Sequence, residues 1–385
     1  MTSEERSTSA IEGARGELIA LSQFIHEHPE LGYEEFVSSA ALIDQLEACD
    51  FDVERDSAGL PTAFRATTGS GDLHVTFCAE YDALPDIGHA CGHNIIAASS
   101  LGAFLGVSAV ADELNVRVTL LGTPSEEGGG GKIDLINAGY FNDEHMALMV
   151  HPFPSERLDA LCLAVDHFDV IFTGKEAHAS AAPWLGINAL DALTISQTAL
   201  GLLRQQLRPG DQFHGVVLEG GSAANIIPSR TVGRFMARAT TAGRLQELRE
   251  RVNDCFAAGA LATGATVEIV ELGHQFSHME SDPDILLHYR HAAEALGRDF
   301  HLDDEEAPRP TLSTDMANVS LVVPSIHPLL MIPTDGAINH QPEFTAACAT
   351  PEADQAVIDG AVALANTVIG VARDEALRQR LVSRR

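Results

Sequence analysis

Residues 73–94 read LHVTFCAEYDALPDIGHACGHN, and this stretch decides the fold. Its first part, Leu73–Ala79, is an apolar run that predicts a buried strand, and the polar residues after it predict a loop rich in possible ligands. Strands that alternate with helices predict an α/β fold with a mainly parallel sheet flanked by helices. The alternation continues with a helix, a strand, a short helix and a strand over Asn94–Leu114, Val116–Leu121, Lys132–Asn137 and Ala147–Val150.

A different pattern begins near Asp166. The predicted order becomes β-α-β-β-α-β, which is typical of a ferredoxin-like α+β unit. Its predicted elements are His167–Thr173, Ile187–Leu207, Phe213–Leu218, Thr231–Ala239, Arg244–Leu261 and Thr266–Glu271. We therefore predict a main domain made of residues 1–165 and 274–385, interrupted by an inserted domain over 166–273. Helices outside the insert are predicted over Ile11–Ile25, Glu34–Glu47, Pro283–Leu296 and Glu352–Ala376.

The composition excludes several classes of function. A net charge of −31 over 385 residues disfavours nucleic acid and anionic membranes as partners, because both attract basic patches. The mostly apolar stretch Ile95–Val110 is short and interrupted by Ser and Gly, so it predicts a buried helix and not a membrane span. The six cysteines are scattered, and the N-terminus lacks the apolar core of a signal peptide. We therefore expect free thiols and a cytoplasmic location.

Possible metal ligands follow each of the three predicted strands. In parallel sheets the carboxyl ends of strands meet at one edge, so these residues are expected to converge. Cys91 and His93 follow the first strand, and their thiolate and imidazole suit zinc or a similar divalent ion. Two alternatives stay open at this point. The first is a buried thiol beside a structural histidine, and the second is a Cys–His nucleophilic pair.

Carboxylates and further histidines complete the pattern. Glu126 and Glu127 follow the second strand, where one could ligate a metal and the other could act as general base, although a solvated acidic turn would look the same. His151 follows the third strand, and His340 lies far along the chain, where a structural role is equally compatible. Asp82 is interpreted as a carboxylate that orients a ligating histidine.

Seven short motifs occur together in one order along nearly the whole chain: Ala79–Pro85, His89–His93, Glu126–Gly130, His151-Pro152, Ala177–Ala179, Asn225–Pro228 and His340–Phe344. This set resembles the aminoacylase-like zinc metallopeptidases of peptidase family M20, in the branch of auxin-conjugate and p-aminobenzoyl-glutamate hydrolases, and within it the aminoacylase-1-like dipeptidases. Two departures, Glu80-Tyr81 in place of the commoner Asp-Met and Asn94 in place of Asp, leave the substrate open.

The resemblance implies a metal-dependent amidohydrolase that binds two divalent ions. Zinc is the expected metal, and manganese and cobalt are the alternatives. It implies that the ligands are Cys91, His93, Glu127, His151 and His340. It also implies a zinc-exopeptidase-like catalytic domain whose insert acts as a lid and forms a homodimer. The expected substrate is a small amide: a dipeptide, an N-acyl amino acid or an aryl-amide conjugate.

The remaining roles complete the predicted active site. The predicted catalytic residues are Glu126 as general base, Asp82 and His178. The resemblance implies that His178 is a lid histidine that stabilises the tetrahedral intermediate. Asn225 is implied to contact substrate, and Asp315 is a hypothetical contact for the amino group of a dipeptide. A non-catalytic, metal-dependent peptide-binding or regulatory protein on the same fold is the alternative function, and a metal-free cysteine amidase is a second one.

Overall fold

The computed structural model describes residues 1–384, which form two compact units. Of the described residues, 1–161 and 279–384 form the first unit and 162–278 form the second. The predicted insert, 166–273, falls inside the second unit. Its role as a lid or dimerisation domain stays a prediction.

A six-stranded mixed sheet forms the centre of the first unit. The three strands predicted from the sequence pair in parallel with one another, which confirms a mainly parallel sheet. Two further strands, at one edge, pair antiparallel, and a short sixth strand pairs in parallel at the other edge. The order across the sheet is Val53–Arg55, Phe64–Thr68, Val116–Gly122, Leu73–Ala79, Met146–Leu148 and Ser325–Ile326. A separate parallel pair joins His151–Phe153 to Leu329–Met331.

Helices cover the sheet and bury most of the apolar residues of the first unit. The helix His93–Ser108 is apolar on all sides and is buried between the sheet and the helix Pro351–Arg373. The latter is long and apolar enough to cross a membrane, but 78% of its most apolar window is buried, as in the core helix of a folded unit. The other helices are Ser3–Gly13, Arg15–Glu27, Phe36–Ala48, Ala111–Leu114, Gly131–Asn137, Pro283–Glu294, His301–Asp304, Met316–Ser320, Pro342–Ala347 and Glu375–Val382.

The N-terminal segment differs from its predicted form. The sequence predicts one helix over Ile11–Ile25, but the chain forms two helices that meet at Ala14, whose φ of −97° and ψ of 6° end the first helix. Both helices keep apolar side chains on the core side, including Ile11, Leu18 and Ile25. Periodicity therefore identified the buried face, whereas the break depends on packing.

The second unit has the β-α-β-β-α-β order predicted for it. Each of its four strands is antiparallel to its neighbours in the sheet. Across the sheet the strands follow the order fourth, first, third and second, which is Thr266–Glu271, Ala164–Thr173, Arg230–Ala239 and Gln212–Glu219. The helices Ala189–Leu203 and Ala242–Thr263 pack on this sheet around a separate core. Five phenylalanines, at 168, 172, 213, 235 and 256, are buried in that core. This arrangement is that of a ferredoxin-like fold.

Candidate metal centre

The loop that carries Cys91 and His93 needs a glycine between them. Gly92 has a φ of 74°, in the left-handed region, and a Cβ at this position would lie 2.8 Å from Cγ of Pro152. Only glycine adopts this conformation and fits this space without strain. Gly92 caps the buried helix that begins at His93, so the turn places both candidate ligands at the edge of the sheet.

The structure brings the five predicted ligands into two groups. The donor atoms of Cys91, His93 and His151 all lie within 4.8 Å of one another, and so do those of Cys91, Glu127 and His340. Cys91 belongs to both groups, which makes it the point where they meet. Three imidazoles, a thiol and a carboxylate are the donors that zinc and similar divalent ions prefer. The sequence-predicted set therefore lies together, as a two-ion centre would require.

His93 is held in one orientation by Asp82. Its Nδ1 donates to the main-chain oxygen of Asp82 at 2.9 Å and lies 3.0 Å from Oδ1 of the same residue. With Nδ1 as donor, the lone pair sits on Nε2, which is buried and has no hydrogen-bond partner among residues 1–384. Asp82 also accepts from the main-chain N–H of Glu127 at 2.9 Å. Its carboxylate therefore contacts two candidate ligands at once, as expected of a residue that positions them.

A hydrogen bond and a lowered pKa both favour a neutral, metal-binding form of His151. Its Nδ1 donates to the main-chain oxygen of Pro152 at 2.9 Å, so the lone pair again sits on Nε2. Burial, with His327 and His93 nearby, lowers the pKa of His151 well below its usual range. His340, by contrast, is exposed and adopts a left-handed φ of 69°, which is uncommon outside glycine. Such a conformation persists only where surrounding contacts stabilise it. Here the main-chain N–H of His340 donates to the main-chain oxygen of Ala90 at 3.0 Å.

Protons and metal compete for two of these donors. Burial, followed by the carboxylates of Glu127 and Glu126, raises the pKa of the Cys91 thiol well above its usual range. Burial opposes protonation of His93, but Asp82 and neighbouring carboxylates outweigh it, so the pKa of His93 is raised as well. Both shifts favour the protonated forms, so metal binding to the thiolate and the neutral imidazole would release protons. The raised pKa of Cys91 also argues against a cysteine nucleophile, which needs a lowered one.

The carboxylates of Glu126 and Glu127 lie beside different histidines of the candidate centre. Oε2 of Glu127 lies 3.6 Å from Nε2 of His340, whereas Oε2 of Glu126 lies 3.8 Å from Nε2 of His93. Burial, then the charges of Glu80 and Glu127, raise the pKa of Glu126 well above its usual range. A raised pKa is common among carboxylates that act as general acids or bases. The role of Glu126 as general base stays a prediction.

The structure corrects the hypothesis for Asp315. This residue is fully buried, and its oxygens accept from Nζ of Lys132 at 2.6 Å and from the main-chain N–H of Lys132 at 3.0 Å. The carboxylate is therefore committed to Lys132 and is not presented to the amino group of a substrate. The error arose because a motif position says nothing of the cation with which a carboxylate pairs.

Three residues near the centre were missed from the sequence. Glu80 lies with one oxygen 3.5 Å from Nε2 of His93. His327 is buried 5.3 Å from the ring of His151, and burial lowers its pKa to about 4. Glu35 accepts from the main-chain N–H of Ser125, just before Glu126, at 2.7 Å. Glu80 had a usable signal, since it directly follows the strand that ends at Ala79; His327 and Glu35 had none.

His178 and Asn225 lie in the second unit, on neighbouring segments. The N–H of Ala179 donates to the main-chain oxygen of Asn225 at 3.0 Å, and both predicted residues are exposed. Nδ1 of His178 accepts from the N–H groups of Ser180 at 3.3 Å and Ala181 at 3.2 Å. In a neutral ring this leaves Nε2 as an exposed N–H donor. The roles given to both residues stay predictions.

Comparison with known proteins identifies related chains. The family described as Peptidase family M20/M25/M40 matches residues 76–368. The Xaa-Arg dipeptidases of Mus musculus and Homo sapiens are 40% and 39% identical, with coverage of 96% and 95% of this chain and 88% of each relative. A solved structure from Bacillus subtilis, described as a dinuclear metal-binding peptidase of the M20 family, shares the fold with a TM-score of 0.70. It is 20% identical and covers 93% of this chain and 99% of its own.

Proposed function

This chain belongs to peptidase family M20/M25/M40, and on that premise we propose that it hydrolyses dipeptides with a basic C-terminal residue at a two-metal centre. It is a metal-dependent amidohydrolase that cleaves a small amide bond. The observation that carries the proposal is the meeting of two donor groups at Cys91, with Glu126 beside them. A purely binding protein needs the metal ligands, but it does not need a further buried carboxylate beside them, such as Glu126.

Each group of donors would hold one divalent ion. Cys91, His93 and His151 would hold the first ion, and Glu127 and His340 would hold the second together with Cys91. Zinc suits this mixture of thiolate, imidazole and carboxylate best, with manganese or cobalt as alternatives. When bound, such ions lower the pKa of a water molecule towards neutrality and polarise the scissile carbonyl group.

Glu126 moves the protons of the reaction. Its carboxylate takes the proton of the attacking water, and the protonated form then donates to the leaving amine. The raised pKa of Glu126 favours this second step, because burial and the charges of Glu80 and Glu127 stabilise the acid form relative to an ordinary carboxyl group. The exposed Nε2–H of His178 is a donor of the kind that stabilises the oxyanion of a tetrahedral intermediate. Asn225, on the adjacent segment, would contact the substrate.

The proposed substrate class is supported by the relatives and by charge. The two relatives with about 40% identity are named Xaa-Arg dipeptidases, so their named substrates end in arginine. A net charge of −31 also raises the local concentration of cationic molecules at the surface. N-acyl amino acids and aryl-amide conjugates remain the alternatives within the same reaction class.

A release-of-amine assay tests this proposal. Dipeptides that end in arginine, lysine, leucine or glutamate would be compared with N-acetyl arginine and 4-aminobenzoyl-glutamate, each with zinc, manganese or cobalt. The highest kcat/KM is expected for the dipeptides that end in arginine or lysine. Faster cleavage of an N-acyl or aryl-amide compound would contradict the substrate class, and no amine release with any metal would contradict the reaction.

We also propose that the chain forms a homodimer through the second unit. The strand Gln212–Glu219 lies at the edge of its sheet and exposes Val216, Val217 and Leu218. Exposed edge strands with apolar residues tend to pair with another chain. Light scattering is expected to give twice the mass of the chain, and Val217→Asp is expected to shift the mass towards that of a monomer. A monomeric native chain would contradict the proposal.

A further inference from the structure

A buried ion triad lies beside the candidate metal centre. Lys132 is fully buried, and its Nζ lies 2.5 Å from Oε1 of Glu80 and 2.6 Å from Oδ1 of Asp315. The chain contains only one other lysine, Lys175, so a lysine at this buried position is unusual for the composition. The two carboxylates outnumber the one ammonium group, which leaves one buried negative charge without a partner inside the triad.

The second oxygen of Glu80 faces the metal centre. Oε2 of Glu80 is buried without a hydrogen-bond partner in the described chain, and Nε2 of His93 has the same status. These two atoms lie 3.5 Å apart. Two ligands of one zinc ion, each about 2.0–2.2 Å from it, can be up to ~4.2 Å apart. A single cation between the two atoms would therefore satisfy both of them.

We infer that Glu80 is a further ligand of the ion that His93 binds, held in place by Lys132 and Asp315. This inference rests on the proposed two-metal centre. The donor atoms of Glu80, His93 and Glu126 lie within 4.8 Å of one another, so Glu80 shares with His93 a third group of possible ligands. With Glu80 as the anionic ligand on this side, Glu126 stays free to act as base.

The main alternative gives Glu80 a structural role only, as the counter-ion of Lys132. Asp315 alone balances the charge of Lys132 and makes two hydrogen bonds to that residue. A second carboxylate is therefore not needed for neutrality, and burying it without a cation is costly. A metal ion next to Glu80 supplies the missing positive charge.

The test compares Glu80→Gln with the native chain after removal of metal by chelation. Zinc and cobalt affinities would be measured by competition with a chromophoric chelator, and bound metal by elemental analysis. We expect Glu80→Gln to bind one of two ions at least tenfold more weakly, since it loses an anionic ligand. The cobalt absorption spectrum should also change, because it depends on the ligands around the ion.

Glu144→Gln is the matched control, since the side chain of Glu144 is also largely covered and pairs with a cation, Arg117, at 2.9 Å. It should bind both ions with native affinity. Unfolding curves with and without zinc separate the two roles of Glu80. A ligand role reduces the rise in unfolding temperature that zinc produces, whereas a structural role lowers the temperature of the metal-free form and leaves that rise unchanged.

Glu80→Asp replaces Glu80→Gln in this test if the glutamine variant does not fold. Aspartate keeps the negative charge, but its side chain is one methylene shorter, so its oxygens lie farther from the metal site. Weaker binding of one ion is expected here too. Native affinities and a native cobalt spectrum in a folded Glu80 variant would overturn the inference while the proposed function stands. Fewer than two ions bound to the native chain would instead contradict the proposed centre.

Discussion

Nδ1 of His93 lies 3.0 Å from Oδ1 of Asp82, and the other oxygen of the same carboxylate accepts from the N–H of Glu127 at 2.9 Å. One carboxylate thus fixes a candidate ligand in each of the two donor groups. Partners of this kind set the tautomer and direction of a metal-binding imidazole. The order of the centre therefore depends on Asp82 as much as on the ligands themselves.

Replacing Asp82 by Asn is expected to weaken metal binding by about 10- to 100-fold, which is typical for loss of such a partner. The amide removes the charge that holds His93 and Glu127 in place. Zinc affinity from chelator competition provides the measurement. Asp86→Asn, at an exposed position in the same loop, is the control and should bind zinc like the native chain. Equal affinity in both variants would contradict the positioning role.

Replacing Glu126 by Gln is expected to leave both metal ions bound and to lower kcat by about 10²- to 10⁴-fold, the contribution of a positioned acid–base group. Glutamine keeps the shape of the side chain but cannot take up a proton. Steady-state kinetics on the best dipeptide would be combined with metal analysis of the same sample. Near-native turnover with full metal content would show that another group moves the proton.

Metal affinity is expected to increase with pH. The pKa of the Cys91 thiol is raised by burial and by Glu127 and Glu126, so the metal-free chain holds a proton there at neutral pH. Metal binding needs the thiolate and releases that proton, so a higher pH favours the bound form. Zinc affinity measured between pH 6 and 8 should therefore rise, whereas a Cys91→Ala variant should bind zinc weakly with a shallower dependence on pH. A pH-independent affinity would argue against Cys91 as a ligand.

Replacing Lys132 by Met is expected to lower the free energy of unfolding by about 3–5 kcal/mol in the metal-free chain, as when one partner of a buried ion pair is removed. Glu80 and Asp315 would stay buried without their cation. Denaturant unfolding is the measurement. Lys175→Met, at the other, exposed lysine, should change stability by less than about 0.5 kcal/mol. Similar small losses of unfolding free energy in both variants would contradict a stabilising role for the triad of Lys132, Glu80 and Asp315.

The sequence predicted the strands around the centre well. The strand Leu73–Ala79 has the predicted bounds, since an apolar run between polar turns has few other solutions. The edge strand Val53–Arg55 was missed because it is short and polar, and only its antiparallel pairing with Phe64–Thr68 defines it. Pairing of this kind depends on residues distant in the chain.

Within the centre, strand ends and motifs were enough to select Cys91, His93 and Glu127. They could not reveal that Asp315 pairs with Lys132, because those residues are 183 positions apart. Nor could they show that Glu80 turns one oxygen towards His93. Both facts depend on how buried charges are shared in three dimensions, which linear spacing does not encode.

The central claim is that Cys91, His93, Glu127, His151 and His340 hold two divalent ions. Anomalous scattering at the zinc absorption edge, recorded from crystals of the native chain grown with zinc, tests this most directly. The account predicts two peaks among these five side chains, with Cys91 next to both. The absence of zinc peaks there, or peaks only elsewhere on the chain, would contradict it.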